Sequence, residues 1–367
     1  MHAVMYDWIM SMPQIIRDDK DLENWNERRE EIRSLFRHEM FGTTPDISFD
    51  SESCVCLEHL KFENGMERYL YGLCFTKGSS YCGLKFTVTC KTDRKDKPVV
   101  LYINPFSHNP KVYSNTVFSF KDYDKGGVFP AFRLAEEGFV AVDCFVDELS
   151  ADSPVYTTHD ILYMYPPGDW CTIGAWAWGA QKVASLLSSL GFTSREINVS
   201  GFSRGAKTAL WAGAQYQIFT SVYACNPGCC GAAIFRGKGG ERIKDITERY
   251  PYWSCDGFKK YSGKEETLPF DQHMLLALIA PRPLYVSSAI EDTWSDPEKE
   301  FEGCALVSAF HEKLGYKGLG TSVFPPLGKV LSGDILGYHV REGDHDCNSF
   351  DWSCVIEFLK NRKGGTV

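Results

Sequence analysis

The pentapeptide Gly201-Phe202-Ser203-Arg204-Gly205 has the G-x-S-x-G spacing that lifts a serine hydroxyl out of a tight strand-to-helix turn. Residues two before and two after the serine must be small, because the bend presses neighbouring backbone against them. A serine hydroxyl is too weak an acid to attack an ester unaided. It needs a base within hydrogen-bond reach and an acid that orients the base. On this turn the expected chain order is Ser, then Asp or Glu, then His. The histidines after Ser203 are His273, His311, His339 and His345. His273 precedes the candidate acids, and His311 in EFEGCALVSAFHEKLG reads as an exposed or capping residue on a helix. His339 lies within the strand-like GYHVRE and competes with His345, which sits in REGDHD beyond the last strand and is the preferred base. The acid is expected where PRPLYVSSAIEDTWSDP leaves its strand, at Asp292, with Glu291 as the substitute and Asp296 as a loop charge.

Acyl transfer puts negative charge on the former carbonyl oxygen, which must be met by preorganised donors. The backbone N–H of Arg204, at the start of a helix, is one source. The turn at Asn104 to Phe106 is another, and the Arg204 side chain adds a positive charge. Lys207, one helical turn past Ser203, can face the same cleft.

These side chains require a frame. Residues 14–41 carry helical spacing of Leu22, Trp25, Ile32, Leu35 and Phe36 before Gly42, so 1–45 reads as an N-terminal helical lead-in. From about 52 to 104, RYLYGLCFT, LKFTVTCK and PVVLYINP read as successive strands. Strand and helix then alternate through GFVAVDCFV, IGAWAWGAQKVASLLSSLG, INVSGFS, AKTALWAGAQY, IFTSVYACNP, PRPLYVSSAIED, EFEGCALVSAFHEKLG, GYHVREGDHD and FDWSCVIEFLKNR. That alternation implies a mostly parallel sheet with helices on both faces, and sites of chemistry at the carboxyl ends of its strands. The long, aromatic and Gly-rich stretch 226–272 fits neither pattern and reads as a lid-like insertion in a single domain spanning 1–367.

Composition narrows the classes. The 367 residues are 44% hydrophobic and 24% charged, as in ordinary globular proteins. With 39 Lys+Arg against 48 Asp+Glu the net charge is −9, and no basic run offers a nucleic-acid surface. The 14 cysteines are scattered through apolar runs. Neither Cys54/Cys56 nor Cys229/Cys230 has zinc or redox spacing, so free thiols and no metal are expected. The opening MHAVMYDWIM lacks a basic n-region and no apolar run is long enough to span a bilayer, so a cytoplasmic, membrane-free protein is expected. The chemistry needs no cofactor, and oligomeric state is left open.

Beyond single residues, FRHEMFGTTPD, SGFSRGAKTALWAGA, NPGCCGAAIFR, YPYWSCDGFKKY, DQHMLLALIAPRPLYVSSAIEDTWSDP and YHVREGDHD occur in that order. From about residue 30 to the C-terminus the chain thereby resembles the α/β-hydrolase glucuronoyl esterases among the carbohydrate esterases, with relatives called acetyl xylan esterases. The resemblance implies an α/β-hydrolase fold and a serine carboxylic-ester hydrolase, most like a 4-O-methyl-glucuronoyl esterase, acting on a small carbohydrate or uronate ester. It implies Ser203 as nucleophile, His345 as base, Asp292 as acid and Arg204 as oxyanion helper. Lys207 and Glu241 would contact sugar hydroxyls, Trp294 would pack on the uronate ring, and Trp253 would line the pocket or sit in the core. Two departures stand out. Ser-Arg-Gly-Ala-Lys replaces the family's Gly before Lys with Ala206, and Asn226 stands where many members carry a second triad acid. A sugar acetyl esterase, a peptidase on the same fold and a catalytically silent binding protein are the alternative readings.

Overall fold

A computed structural model of the chain describes residues 12–108, 128–166 and 170–361. The opening MHAVMYDWIM and the terminal KGGTV lie outside the described residues. The strands are β1 (Ser51–Lys61), β2 (Met66–Lys77), β3 (Ser80–Lys91), β4 (Val99–Asn104), β5 (Val140–Phe145), β6 (Ile197–Phe202), β7 (Ser221–Cys225), β8 (Leu284–Ala289), β9 (Val330–Ser332) and β10 (Leu336–Arg341). They form one sheet in the order β1-β2-β3-β5-β4-β6-β7-β8-β10-β9. From β5 through β10 neighbouring strands run parallel, while β1 to β3 pair as antiparallel hairpins and β9 closes the far edge antiparallel to β10. The longer helices are α1 (Trp25–Phe36), α2 (Thr172–Leu186), α3 (Arg204–Gln215), α4 (Pro297–Lys313) and α5 (Ser349–Lys360). The chain therefore has the mostly parallel, doubly covered sheet of an α/β-hydrolase.

Two-residue periodicity explains why both faces need helices. Val99, Leu101 and Ile103 of β4 point into one apolar cluster with Phe36, Trp176 and Trp211, whereas Val100 and Tyr102 point into the other with Phe129 and Trp352. Both sets of β4 side chains are buried. Truncating a fully buried aromatic such as Trp211 to Ala is expected to cost about 3–5 kcal/mol.

Helix ends are set locally. Asp296 caps α4, with its side chain accepting from the Lys299 N–H and Pro297 at the first turn. Asn348 and Asp351 form a reciprocal capping box on α5. His311, expected at the surface, is instead buried on α4 with only 1% exposure. Burial drives its imidazole down to about 4, so it sits in the core as a neutral ring.

The segment 226–272 holds a helix at Ile243–Arg249 and tight turns at Asp256–Tyr261 and Glu265–Thr267. Its Phe235, Ile243, Phe258 and Phe270 join the main core. The buried Arg236 donates to the Asp271 carboxylate and to the carbonyls of Leu268 and Phe270, closing the segment on itself.

Candidate active site

Ser203, Asp292 and His345 each follow the carboxyl end of a strand, β6, β8 and β10 respectively. Ser203 follows β6 and stands before the first residue of α3 with φ 55° and ψ −121°, a conformation side-chain-bearing residues rarely hold. A Cβ at Gly201 would come within 2.2 Å of the Gly205 carbonyl oxygen, and one at Gly205 within 2.5 Å of the Ile103 carbonyl oxygen. These contacts are the physical reason for both glycines. The Ala206 nitrogen lies 2.8 Å from the same Cβ position at Gly201, while the Ala206 side chain packs fully buried in the core.

Ser203 Oγ lies 2.9 Å from His345 Nε2, and His345 Nδ1 lies 2.5 Å from Asp292 Oδ2. With Nδ1–H donated to the carboxylate, Nε2 is free to accept from the serine hydroxyl. Asp292 is almost fully buried while the His345 side chain is 38% exposed, so the acid is shielded and the base faces solvent. Burial alone would raise the Asp292 carboxyl. Hydrogen bonds from His345 and Ser295 outweigh it and hold Asp292 below the usual carboxylate range, keeping it anionic. Glu291 is exposed, and its backbone N–H bonds to the Gly343 carbonyl. Asp296 is occupied in capping α4.

The rival His339 is sealed in the sheet with no exposure, its Nε2 2.8 Å from Asp351 Oδ1 and its Nδ1 2.8 Å from the Tyr285 hydroxyl. His273 is buried too, with Nε2 2.9 Å from the Pro13 carbonyl oxygen. Asn226, which the resemblance would set where many members carry a second acid, makes no hydrogen bond to the imidazole. Its amide donates to the Asp346 carbonyl at 2.9 Å, bracing the loop that carries His345.

Arg204 opens α3 directly after Ser203, so its backbone N–H belongs to the unpaired first turn of that helix. At the second expected oxyanion source the Phe106 N–H donates to Asn104 Oδ1 at 3.2 Å, and Asn104 Nδ2 donates to Asp143. The Phe106 N–H is thus spent within the turn. The Arg204 guanidinium forms an ion pair with Asp152 and lies over the Tyr250 and Trp253 rings, 5.4 and 4.9 Å from their centroids.

Lys207, Glu241 and Trp294 come together. Buried Lys207 Nζ donates to the Pro227 carbonyl at 2.8 Å and lies 4.0 Å from Glu241 Oε2. Glu241 Oε1 accepts from Trp294 Nε1 at 3.1 Å. Trp294 is 42% exposed and carries Arg249 over its ring. Trp253 is buried with the main core and stacked on Tyr250, ring centroids 3.9 Å apart, with its indole N–H on Asp152. Sequence reasoning did not single out Asp152, Tyr250 or Tyr252. Asp152 lies in an irregular loop whose spacing carries no signal, and nothing within YPYWSCDGFKKY marks Tyr250 and Tyr252 as neighbours of Arg204 and Asp152.

Among the described residues, Cys225, Cys347 and Asp351 form a possible metal-ligand group, with ligand atoms within 4.8 Å of one another. Burial keeps the Cys225 thiol protonated, and both oxygens of Asp351 are engaged by His339 and Arg341. No helix among the described residues is long and apolar enough to cross a membrane.

Comparison with known proteins adds independent weight. A family model described as fungal glucuronyl esterase matches residues 141–315, a span containing Ser203 and Asp292. The chain is 30% identical over 375 residues to a carbohydrate esterase from an unknown prokaryotic organism, covering 94% of this chain and 86% of that protein. It is 28% identical over 211 residues to a 4-O-methyl-glucuronoyl methylesterase of Podospora anserina, covering 53% of this chain but only 40% of the fungal protein. A solved glucuronoyl esterase from Solibacter usitatus aligns at a TM-score of 0.82 and 29% identity, covering 93% of this chain and 94% of its own.

Proposed function

The chain belongs to the glucuronoyl esterase-like carbohydrate esterases, and we propose that it hydrolyses a uronate ester through an acyl-enzyme on Ser203. The observation carrying this reading is the unbroken relay from Ser203 Oγ through His345 to Asp292, at 2.9 and 2.5 Å. In it, Ser203 attacks the ester carbonyl as His345 Nε2 takes its proton, and the oxyanion forms against the Arg204 N–H and guanidinium. His345 then protonates the departing alcohol. Water, deprotonated by the same imidazole, releases the uronic acid and restores the serine. Asp292 keeps the imidazole in the required tautomer and stabilises its cationic form.

Lys207 and Glu241 offer a donor and an acceptor to neighbouring hydroxyls of a sugar ring, with Trp294 as an apolar platform. This trio favours a uronate over a simple aryl ester. A reducing compartment, the cytoplasm, suits fourteen cysteines that are all free.

The test compares methyl and benzyl glucuronate with acetylated xylooligosaccharides and p-nitrophenyl acetate. The reading expects kcat/KM on the glucuronates to exceed that on the acetylated sugars by at least about tenfold, a difference of about 1.4 kcal/mol in transition-state binding. The reverse ranking would make the enzyme a sugar acetyl esterase. Equal rates on all four would remove the sugar-binding role of Lys207 and Glu241.

A further inference from the structure

One carboxylate outside the Ser203–His345–Asp292 relay gathers donors from both α3 and the segment 226–272. Asp152 lies on the loop that follows β5, with a side chain only 15% exposed. Its Oδ2 takes Arg204 Nη1. Its Oδ1 accepts from Trp253 Nε1 at 2.7 Å and from the Tyr252 hydroxyl at 3.1 Å, and its carbonyl accepts from the same hydroxyl at 3.0 Å. Burial and the neighbouring Asp152 charge raise the Tyr252 phenol well above its ordinary value, so it remains a donor.

The backbone holds Asp152 in turn. Its N–H donates to Asp147 Oδ1 at 2.8 Å, and Asp147 Oδ2 accepts from Ser107 Oγ at 2.5 Å, just past the turn at Asn104 to Phe106. A chain of bonds thus runs from the end of β4, through the β5 loop, to the residue after the nucleophile, and on to the aromatic pair of segment 226–272.

We infer that Asp152 is a positioning residue for the acyl-transfer step. It fixes the Arg204 guanidinium beside Ser203 and clamps the Tyr250–Trp253 stack as the wall of the site. An unrestrained arginine has many rotamers and would have to be ordered during the reaction, whereas a pinned one meets the developing oxyanion without reorganisation. A single carboxylate accepting from a guanidinium, an indole and a phenol also makes the wall and the arginine move together. This inference rests on the reading of Ser203 and Arg204 given above.

The test is a double-mutant cycle in the full-length enzyme on benzyl glucuronate, comparing Asp152→Asn, Arg204→Gln and the double variant, with kcat and KM measured separately. Asp152→Asn is expected to lower kcat by about 10- to 50-fold with KM changed less than about threefold, because the loss falls on the transition state. The double variant should be no slower than Arg204→Gln alone. Losses that multiply would overturn the inference, since Asp152 would then not act through Arg204. So would a folded Asp152→Asn enzyme with wild-type kcat. Should Asp152→Asn fail to fold, Trp253→Phe replaces it in the cycle, with the same non-multiplying pattern expected and the same overturning result. Ser203→Ala separates the two claims. If it stays active, the Ser203 reading falls whatever Asp152 does. If it is inactive while Asp152→Asn is normal, only the positioning role falls.

Discussion

Two hydroxyl–imidazole–carboxylate relays lie six residues apart along β10 and its loop. Tyr285, His339 and Asp351 form one; Ser203, His345 and Asp292 form the other. Hydroxyl, imidazole and carboxylate follow in the same order, but the ring is turned, with Nδ1 toward the hydroxyl in the inner relay and toward the carboxylate in the outer one, and their surroundings are opposite. The His339 ring has no exposed side-chain surface, and burial pushes the Tyr285 phenol far above its ordinary value. The His345 ring is 38% exposed, and its partner hydroxyl stands on a strained turn where substrate can reach it. The difference teaches that a histidine–aspartate pair marks a site of chemistry only where a hydroxyl of the right kind meets solvent. Inside the sheet, the same arrangement satisfies buried polar groups.

The largest expected effect separates the two relays by activity. Ser203→Ala and His345→Ala should each lower kcat by at least about 10³-fold, Ser203→Ala while shifting stability by no more than about 0.5 kcal/mol and His345→Ala with some loss of stability from the buried Asp292 carboxylate it leaves without its imidazole partner. Steady-state kinetics with chemical denaturation checks both. Normal turnover in either variant would break the comparison at its active end. At the acid, Asp292→Asn should cost about 10²–10⁴-fold in kcat and Glu291→Gln less than about twofold. The opposite ranking would move the acid one residue back.

The buried relay should respond in stability instead. Removing the His339 ring as His339→Ala leaves the Asp351 carboxylate without one of its buried partners. The expected loss is about 3–5 kcal/mol of folding free energy, with kcat per folded molecule within about threefold of wild type. A large kcat loss in a stable His339→Ala enzyme would show that the inner relay also serves the reaction.

The smallest effect tests how partners set a buried carboxyl's charge. Asp292 and Asp351 accept from imidazoles and are held below the usual range, so the stability they contribute is present at neutral pH and is lost as pH falls through their folded values. Among the described residues, Glu300 accepts from the Ser288 hydroxyl and the Gly228 N–H, and burial pushes it up to about 7. The folded state therefore holds its proton more tightly than the unfolded state. Its contribution is complete below about pH 4.5 and is lost as pH rises through about 7, by up to about 3 kcal/mol. Between about pH 4.5 and 7 the denaturation midpoint of the wild type should fall relative to that of Glu300→Gln, the buried His311 contributing an opposite slope to both. An unchanged slope in the variant would remove this assignment.

The Ser203–His345–Asp292 arrangement was readable in the sequence because each member sits at a strand's end in a fixed chain order, and Gly201 and Gly205 carry the signature of a close backbone approach. The alternating sheet was readable because β4 to β8 are short buried runs between helices. The inner relay was only half legible. His339 stood out as a rival base, but the phenol and carboxylate that occupy it come from β8 and α5, and nothing local announces that pairing. His311 was misread because an amphipathic pattern does not reveal a helix packed on most of its surface; among the described residues neither ring nitrogen of His311 has a partner. Asp152 was missed for a related reason. Its partners Arg204, Tyr252 and Trp253 lie 52, 100 and 101 residues away along the chain.

The central claim is that Ser203, and no other hydroxyl, carries the acyl group. Labelling the folded enzyme with a fluorophosphonate and mapping the adduct by mass spectrometry tests it directly. The expected result is one adduct per chain on Ser203, with glucuronate hydrolysis falling in proportion and no adduct in His345→Ala over the same period. An adduct elsewhere, or hydrolysis that persists after Ser203 is fully modified, would contradict the account.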